Sequence, residues 1–346
     1  MPRTFLEGLS PAYFGMVMAT GIVSVAGHQL GYGGIAQTLF LLNVVLYIAL
    51  WALNLLRFAL HRGAFLADAT DHQRGPGFFT WVAATSVLGA QFAVLAADYR
   101  MAWGLWTVAM ALWLACTYGI FTALTVKLHK PSLEQGINGA WLLAVVATQS
   151  IAVLSVLLAM NEAGAYKRAL NFVALSMWLS GGMVYVWMMA LIFYRYTFLR
   201  MAPEDLTPPY WINMGAMAIS TLAGALLAAN AMQAPLLLSL LPFLRGVTIF
   251  YWATGTWWIP MLLVLGVWRY VVNRHPLRYD PVYWAAVFPL GMYAAATHEM
   301  ALALDVQFLD MIPPVFFFVA LAGWAAAMAG LIWALWSSPA LWGESR

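Results

Sequence analysis

The chain has few of the features on which soluble proteins depend. Charged residues make up only 8% of its 346 residues and the mean hydropathy is +0.81, which excludes a water-soluble globular fold. Cys116 is the single cysteine, so an intramolecular disulfide and a cysteine-based metal cluster are both excluded. No Ser- or Gln-rich tract is present. We expect no cleavable signal, because the first apolar run is long enough to be a span.

Carboxylates are missing from the middle of every apolar segment. Proton pumps and cation-coupled carriers commonly place Asp or Glu near the bilayer midplane. Their absence argues against cation conduction and favours a weakly polar path, lined by hydroxyls and positive helix ends, for an anion or a neutral solute. The six histidines show no convincing ligand spacing, so we expect neither a metal site nor a cofactor.

What the chain does have is apolar sequence in runs of about 20 residues, the length that crosses a hydrocarbon core of about 30 Å. The connections are short, so residues 1–346 are predicted to form a single all-α integral membrane domain embedded in the lipid bilayer. Ten transmembrane helices are predicted, at 10–30, 36–60, 77–97, 101–127, 138–160, 168–198, 210–231, 244–271, 281–304 and 312–337.

The basic residues predict the orientation. Twelve fall on the side that holds both termini and four on the other side, a bias that places both termini in the cytoplasm. The expected location is the plasma membrane, or the inner membrane of a bacterium. The pI near 9.0 then reflects topology, and no nucleic-acid partner is expected. The twelve are Arg3, Arg57, Arg62, Arg74, Lys127, Lys130, Arg195, Arg200, Arg269, Arg274, Arg278 and Arg346; the four are Arg100, Lys167, Arg168 and Arg245.

A spacing pattern recurs in the odd-numbered spans, which all run in one direction. Pro11 precedes Thr20 by nine residues, and Pro76 precedes Thr85 by the same distance. Nine helical residues rise about 13 Å, which brings these hydroxyls near mid-membrane. The chain is therefore predicted to consist of five parallel-repeat hairpins. Looser copies carry Thr148 and Ser220, and another has Phe288-Pro289 in place of a hydroxyl.

Two interpretations of these hydroxyls are open. They can line a path between the odd-numbered helices, or they can bond to their own helix and join neighbouring helices. The pore-lining candidates are Phe14, Thr20, Phe79, Thr85, Thr148, Gln149, Ser220 and Gly291.

The ninth span has two further features. Pro289 lies inside it and predicts a kink, which Gly291 eases. Phe288 precedes this kink, and a phenyl ring aimed into a narrow path would exclude water and ions. His298 and Glu299 lie near the outer interface, where both an interfacial pair and an outer-vestibule role are open.

Four segments carry a family resemblance: residues 13–23, 138–149, 244–260 and 288–297. Together they resemble the tellurite-resistance/dicarboxylate transporter family, which includes yeast malate permeases, fungal sulfite exporters, bacterial tellurite-resistance proteins and plant guard-cell slow anion channels. The likeness extends from residue 10 to about residue 335. One departure is the Ala19-Thr20-Gly21 step, where the family often has Gly-Thr-Gly.

The resemblance implies five hairpins around a pseudo-five-fold axis, with the odd-numbered helices around a central pore and often three subunits in a homotrimer. It also implies an occluding phenylalanine on the ninth helix, placed here at Phe288 beside Pro289. The implied substrate is a small anion, either a C4-dicarboxylate such as malate, sulfite, or a simple inorganic anion. A proton-coupled dicarboxylate carrier is the alternative within transport. An enzyme is not expected, and a membrane-embedded redox enzyme is the remote alternative, since no facing His pair or buried acid–nucleophile set is visible.

Overall fold

A computed structural model describes residues 5–276 and 279–337 of the chain. Across these two ranges every regular element is a helix and no strand occurs. Three of the basic residues used to predict the orientation, Arg3, Arg278 and Arg346, lie outside the described residues.

Helices of 15 or more residues carry the fold, and in the described ranges there are ten of them. The odd-numbered helices are α1 (Gly15–Gln29), α3 (Phe79–Leu95), α5 (Leu143–Asn161), α7 (Ile212–Asn230) and α9 (Trp284–Leu304). The even-numbered helices are α2 (Gly33–Leu60), α4 (Tyr99–Val126), α6 (Gly164–Phe198), α8 (Leu241–Val267) and α10 (Ile312–Ser337).

Eight helical segments in the described part of the chain are long and apolar enough to cross a membrane. They contain α2 to α8 and α10, so the prediction of an all-helical, multi-pass membrane protein is confirmed at this level. Neither α1 nor α9 belongs to this set. The former has only 15 residues, and the latter includes Pro289, His298 and Glu299. Ten spans were predicted, and eight of them meet these criteria of length and hydropathy, so the ten-span repeat stays a prediction.

A 3-10 turn precedes each odd-numbered helix. In four of the five turns, proline occupies one of the first two positions, where its fixed φ and missing N–H cost the helix nothing. A side chain caps three of the turns: Ser10, Asn138 and Asp280 each accept a hydrogen bond from the N–H two residues later. Proline therefore marks the start of four of the five odd-numbered helices. The turns are Pro11–Phe14, Gly75–Phe78, Gly139–Leu142, Pro208–Trp211 and Pro281–Tyr283.

The odd-numbered helices form the inside of the protein. Each contacts the next along the chain, and α9 contacts α1, so the five make a closed ring. In the apolar windows of α3, α5 and α7, between 83% and 94% of residues are buried, against 17% to 39% for the even-numbered helices. Each even-numbered helix packs outside the ring against the odd-numbered helices before and after it, with α10 packing against α1. Its outer face carries exposed apolar side chains suited to lipid.

Candidate functional site

The 3-10 turns at the starts of the odd-numbered helices surround a cavity of about 420 Å³, which we call the amino-end cavity. The turns contact one another in a closed ring, in the same order as the helices that follow them. The wall of this cavity includes Ser10, Gln73, Arg74, Thr80, Asn138, Thr207 and Asp280, and the helices contribute Met18, Leu143, Ile212 and Phe288.

The charge at the amino-end cavity favours anions. A helix N-terminus carries roughly half a positive charge on its unpaired N–H groups, and five helices begin around this cavity. Arg74 adds a full positive charge to the wall, and Asp280 adds a carboxylate that accepts a hydrogen bond from the Val282 N–H at 2.9 Å. The two full charges offset each other, so the helix N-termini are what makes this cavity favourable to an anion.

A buried ionic network holds Arg74 in place. The carboxylate of Asp68 lies 2.6 Å from Arg57 Nη2 and 2.8 Å from Arg74 Nε. Arg57 is fully buried and also donates to the Glu7 carbonyl, while Arg74 donates to the Gly8 carbonyl at 3.2 Å. Because two guanidinium groups share one carboxylate, the network contributes net positive charge beside the cavity.

A second pocket, of about 470 Å³, adjoins the amino-end cavity and shares Gln73, Asn138 and Thr207 with it. Arg195 lies on its wall together with three carboxylates, those of Glu134, Glu204 and Asp205. The guanidinium of Arg195 donates to the Tyr210 hydroxyl and lies 3.4 Å from Asp205. This pocket widens the approach to the cavity with further polar groups.

His72 immediately precedes Gln73 at the rim of both pockets. Burial is the main cause that lowers the pKa of His72 below its usual value, and the nearby Lys127 acts in the same direction. The imidazole is therefore mainly neutral at pH 7 and above. Arginines and carboxylates set the charge of this mouth, and that charge is constant between pH 7 and pH 8.

A third and smaller cavity, of about 60 Å³, lies towards the other end of the odd-numbered helices, and we call it the carboxyl-end cavity. Most of its wall is apolar. Ser86 is 1% exposed, and its hydroxyl has no hydrogen-bond partner among the residues that the structure describes. The Ser150 hydroxyl donates to the Ala147 carbonyl, and the Gln29 amide donates to the Glu299 carboxylate at 2.7 Å. The apolar part includes Ile22, Val87, Val153, Ile219, Leu222 and Met292.

The two cavities lie along the same faces of the helices. On α9, Phe288 lines the amino-end cavity and Met292 lines the carboxyl-end cavity. On α1, Met18 and Ile22 do the same. Residues four apart share a helix face, and four residues rise about 6 Å. About one helical turn therefore separates the cavities on α1 and α9, and about two turns separate them on α3, α5 and α7, where the lining residues are six or seven apart. The Phe288 ring, only 1% exposed, lies at the end of the amino-end cavity that faces the other one.

The hydroxyls predicted to line a path lie elsewhere. None of the four predicted hydroxyl residues is among the residues that line either cavity. The hydroxyls of Thr20, Thr85 and Thr148 instead bond across to the even-numbered helix of the preceding hairpin, and Ser220 receives such a bond at its backbone carbonyl while its hydroxyl bonds within its own helix, so the structure favours the helix-joining interpretation. The contacts are Tyr47 with Thr85 at 3.0 Å, Trp113 with Thr148 at 2.9 Å, Trp178 with the Ser220 carbonyl at 2.8 Å, and Trp324 with Thr20 at 2.9 Å.

A fifth contact of this kind joins α8 to α9, the remaining pair of neighbouring helices. Trp252 Nε1 on α8 donates to Thr297 Oγ1 on α9 at 3.0 Å. Thr297 lies nine residues after Phe288, so this bond is further along its helix than the other four. We call the five contacts the aromatic–hydroxyl belt. Three of its inner residues, Thr85, Thr148 and Ser220, also donate to the carbonyl four residues earlier.

Three further lining candidates also face the even-numbered helices. The Phe14 ring packs against Trp51 with centroids 5.3 Å apart. The Phe79 ring packs against Phe121 at 5.7 Å. The Gln149 amide donates to the Trp178 carbonyl at 3.0 Å.

Pro289 and Gly291 pack α9 against its neighbours in the ring. A Cβ atom at Gly215 of α7 would lie 2.6 Å from Pro289 Cγ, so the proline ring fits against that glycine. A Cβ atom at Gly291 would lie 3.1 Å from Ile22 Cγ2 of α1. Both residues fix the position of the helix that carries Phe288.

Of the predicted site residues, Phe288 and Glu299 line the cavities, and half-buried His298 lies beside Glu299 without being part of the wall. Sequence reasoning missed Ser86 and Ser150 as lining residues. The signal was a run of adjacent polar residues, since Ser86 follows Thr85 directly. Within the described part of the chain, no three His, Cys, Asp or Glu residues are grouped so as to hold a metal ion.

Comparison with known proteins gives one family across nearly the whole chain. The SLAC1 family, described as voltage-dependent anion channel, matches residues 8–332. An uncharacterized membrane protein of Mycobacterium tuberculosis is 38% identical over 149 residues, covering 43% of this chain and 75% of that protein. An uncharacterized transporter of Methanocaldococcus jannaschii is 26% identical over 89% of this chain and 88% of its own length. The sulfite efflux pump of Trichophyton rubrum is 27% identical over 94% of this chain and 90% of its own length.

Proposed function

The chain belongs to the SLAC1 family of anion channels and transporters, as its motifs predicted, and from this we propose that it moves small anions passively through the ring of odd-numbered helices. The protein is a membrane transporter rather than an enzyme, in keeping with relatives named as a transporter and as an efflux pump. The proposed path runs from the amino-end cavity, past Phe288, to the carboxyl-end cavity.

One observation carries this proposal: two cavities lie inside the ring of odd-numbered helices, one to two helical turns apart, and Phe288 borders the gap between them. A buried phenyl ring between two cavities is a hydrophobic constriction, which blocks ions because they cannot shed their water there. We therefore assign Phe288 as the gate and Pro289 as the residue that positions it.

The electrostatics fit an anion. Helix N-termini and Arg74 surround the wide cavity, and the Ser86 hydroxyl, with no partner of its own, is available to a passing solute in the narrow one. Selectivity for anions would arise mainly at the wide mouth, where the helix N-termini attract them.

The arrangement in the membrane is part of the proposal. We propose that all ten helices cross the bilayer as five parallel hairpins, with both termini in the cytoplasm of a plasma or bacterial inner membrane. The described basic residues of the larger group, such as Arg57, Lys127, Arg195 and Arg269, fall at the amino-end side, which supports a cytoplasmic amino-end cavity. Assembly as three copies stays a prediction, which native mass spectrometry in detergent will test.

The substrate is proposed from the chemistry of the path and from a relative. Sulfite is a first candidate because a relative is named as a sulfite efflux pump. Chloride, nitrate and malate are the other candidate substrates to be measured. A proton-coupled dicarboxylate carrier is the second candidate, favoured by Glu299 on the carboxyl-end cavity, where a carboxyl group could exchange a proton. Flux that requires a proton gradient and ignores voltage would favour that carrier.

The test is anion flux into proteoliposomes, comparing the parent chain with Phe288→Ala. The gate assignment predicts an increase of about tenfold or more, because truncation removes the ring that separates the cavities. Phe79→Ala is the matched control. Phe79 is also 1% exposed, but its ring packs against Phe121 and not on a cavity.

Both truncations remove a buried phenyl group, which costs about 3–5 kcal/mol of stability, so a general loosening of the fold would affect both. Flux that rises only in the Phe288 variant supports the gate. Equal flux in the parent and in a folded Phe288→Ala protein would overturn it.

A further inference from the structure

The carboxyl-end cavity holds a carboxyl group that opposes anions when it is ionised. Glu299 of α9 lies on its wall, and Oε1 of Glu299 accepts a hydrogen bond from Gln29 Nε2 of α1 at 2.7 Å. Among the described residues that line this cavity, none is Lys or Arg. Hence no cation on the wall offsets the carboxylate.

The surroundings of Glu299 strengthen the electric field of its ionised carboxylate. The nearby wall is formed by Val25, Leu222 and Leu226, so little polar material screens the carboxylate. Two histidines lie close in sequence: half-buried His298 precedes Glu299, and exposed His28 precedes Gln29. Neither of them lines the cavity, although a positive charge on His298 would act on Glu299.

We propose that Glu299 is a specificity-determining residue that admits singly charged anions and excludes dianions. This inference rests on the proposed function. Coulomb repulsion grows in proportion to the charge of the passing ion, and it is stronger in a narrow apolar cavity than in water. A dianion is therefore repelled twice as strongly as a monoanion. The amino-end cavity attracts both.

The substrate class follows. Chloride, nitrate and the singly protonated forms of sulfite and of dicarboxylic acids can pass, whereas sulfate and fully ionised malate are held back. Sulfite would cross as the monoanion hydrogen sulfite, although the amino-end cavity also attracts the sulfite dianion.

The experiment uses the full chain in proteoliposomes with Phe288→Ala as the open background. The measured quantity is the ratio of sulfate flux to chloride flux at pH 8. Adding Glu299→Gln should raise this ratio by about tenfold or more, mainly through faster sulfate flux. Adding Glu299→Asp keeps the charge and should leave the ratio near that of the background.

Glu162→Gln is the matched control. Glu162 follows α5 at the same end of the protein, accepts a hydrogen bond from Trp103 and lies off the cavity wall. Gln29→Lys is an independent second variant. It places an ammonium group where the Gln29 amide contacts Glu299, so it should raise the ratio even if Glu299→Gln fails to fold.

The outcomes separate the two claims. A raised ratio in Glu299→Gln or Gln29→Lys, with no change in Glu162→Gln, supports the charge filter. An unchanged ratio in folded variants that still conduct chloride overturns the filter and leaves the anion path intact. Absence of chloride flux in folded Phe288→Ala overturns the path itself, and the filter with it.

Discussion

Thr20→Val tests whether the aromatic–hydroxyl belt joins helices or lines the path. Valine keeps the shape of the side chain but removes the oxygen that accepts from Trp324 Nε1. Thr20 is fully buried, so water cannot take its place. We expect a loss of stability and no change in ion selectivity.

The size of the loss follows from the contact. Hydrogen bonds between transmembrane helices contribute about 0.6 kcal/mol on average and up to about 1.7. Since Thr20→Val also leaves a buried indole N–H without a partner, the free energy of unfolding should fall by about 1–2 kcal/mol. In a double-mutant cycle with Trp324→Phe, the coupling should reach about 1 kcal/mol.

Two assays report on the two roles. Unfolding in mixed detergent micelles gives the stability, and chloride and nitrate flux in the Phe288→Ala background gives the selectivity. Thr38→Val is the control, because exposed Thr38 bonds only to the Gly34 carbonyl of its own helix. Zero coupling between Thr20 and Trp324, or a chloride-to-nitrate ratio that shifts with Thr20→Val alone, would refute the helix-joining role.

Two further predictions concern the scaffold around the path. Gly215→Ala should lower stability by about 1–3 kcal/mol, because the new Cβ would lie 2.6 Å from the rigid Pro289 ring. Gly266→Ala on α8, where a Cβ meets nothing within 4 Å, should not lower it, and equal losses would contradict the reasoning. Asp68→Asn should cost about 3–5 kcal/mol, because it leaves the buried Arg57 charge without its carboxylate. A thermal unfolding series checks it, and a loss below about 1 kcal/mol, as for an exposed pair, would contradict it.

The helices were predictable because hydrophobicity and proline mark them clearly. The span predicted at 168–198 is found as Gly164–Phe198, and the span at 210–231 contains Ile212–Asn230. A run of apolar residues with proline at its start leaves few alternatives in a membrane.

The direction of side chains was not predictable in the same way. The spacing from Pro76 to Thr85 gives a depth along the helix, but a rotation of 100° per residue decides which neighbour is contacted. Thr85 points to Tyr47 on an outer helix, and the next residue, Ser86, lines a cavity. A helix buried on every side has no polar stripe, so nothing in α3 marks the face that borders the cavity.

The surroundings of Phe288 indicate how the proposed gate opens. α9 is confined on both sides, by Pro289 against Gly215 and by Gly291 against Ile22, so moving the helix would disrupt two close contacts. The Phe288 ring, in contrast, borders a cavity of about 420 Å³. We expect rotation about its side-chain bonds into that space to open the proposed gate without moving α9. Pro289 and Gly291 then hold α9 in place, and the equilibrium between the rotamers of the Phe288 ring determines the fraction of time for which the gate is open.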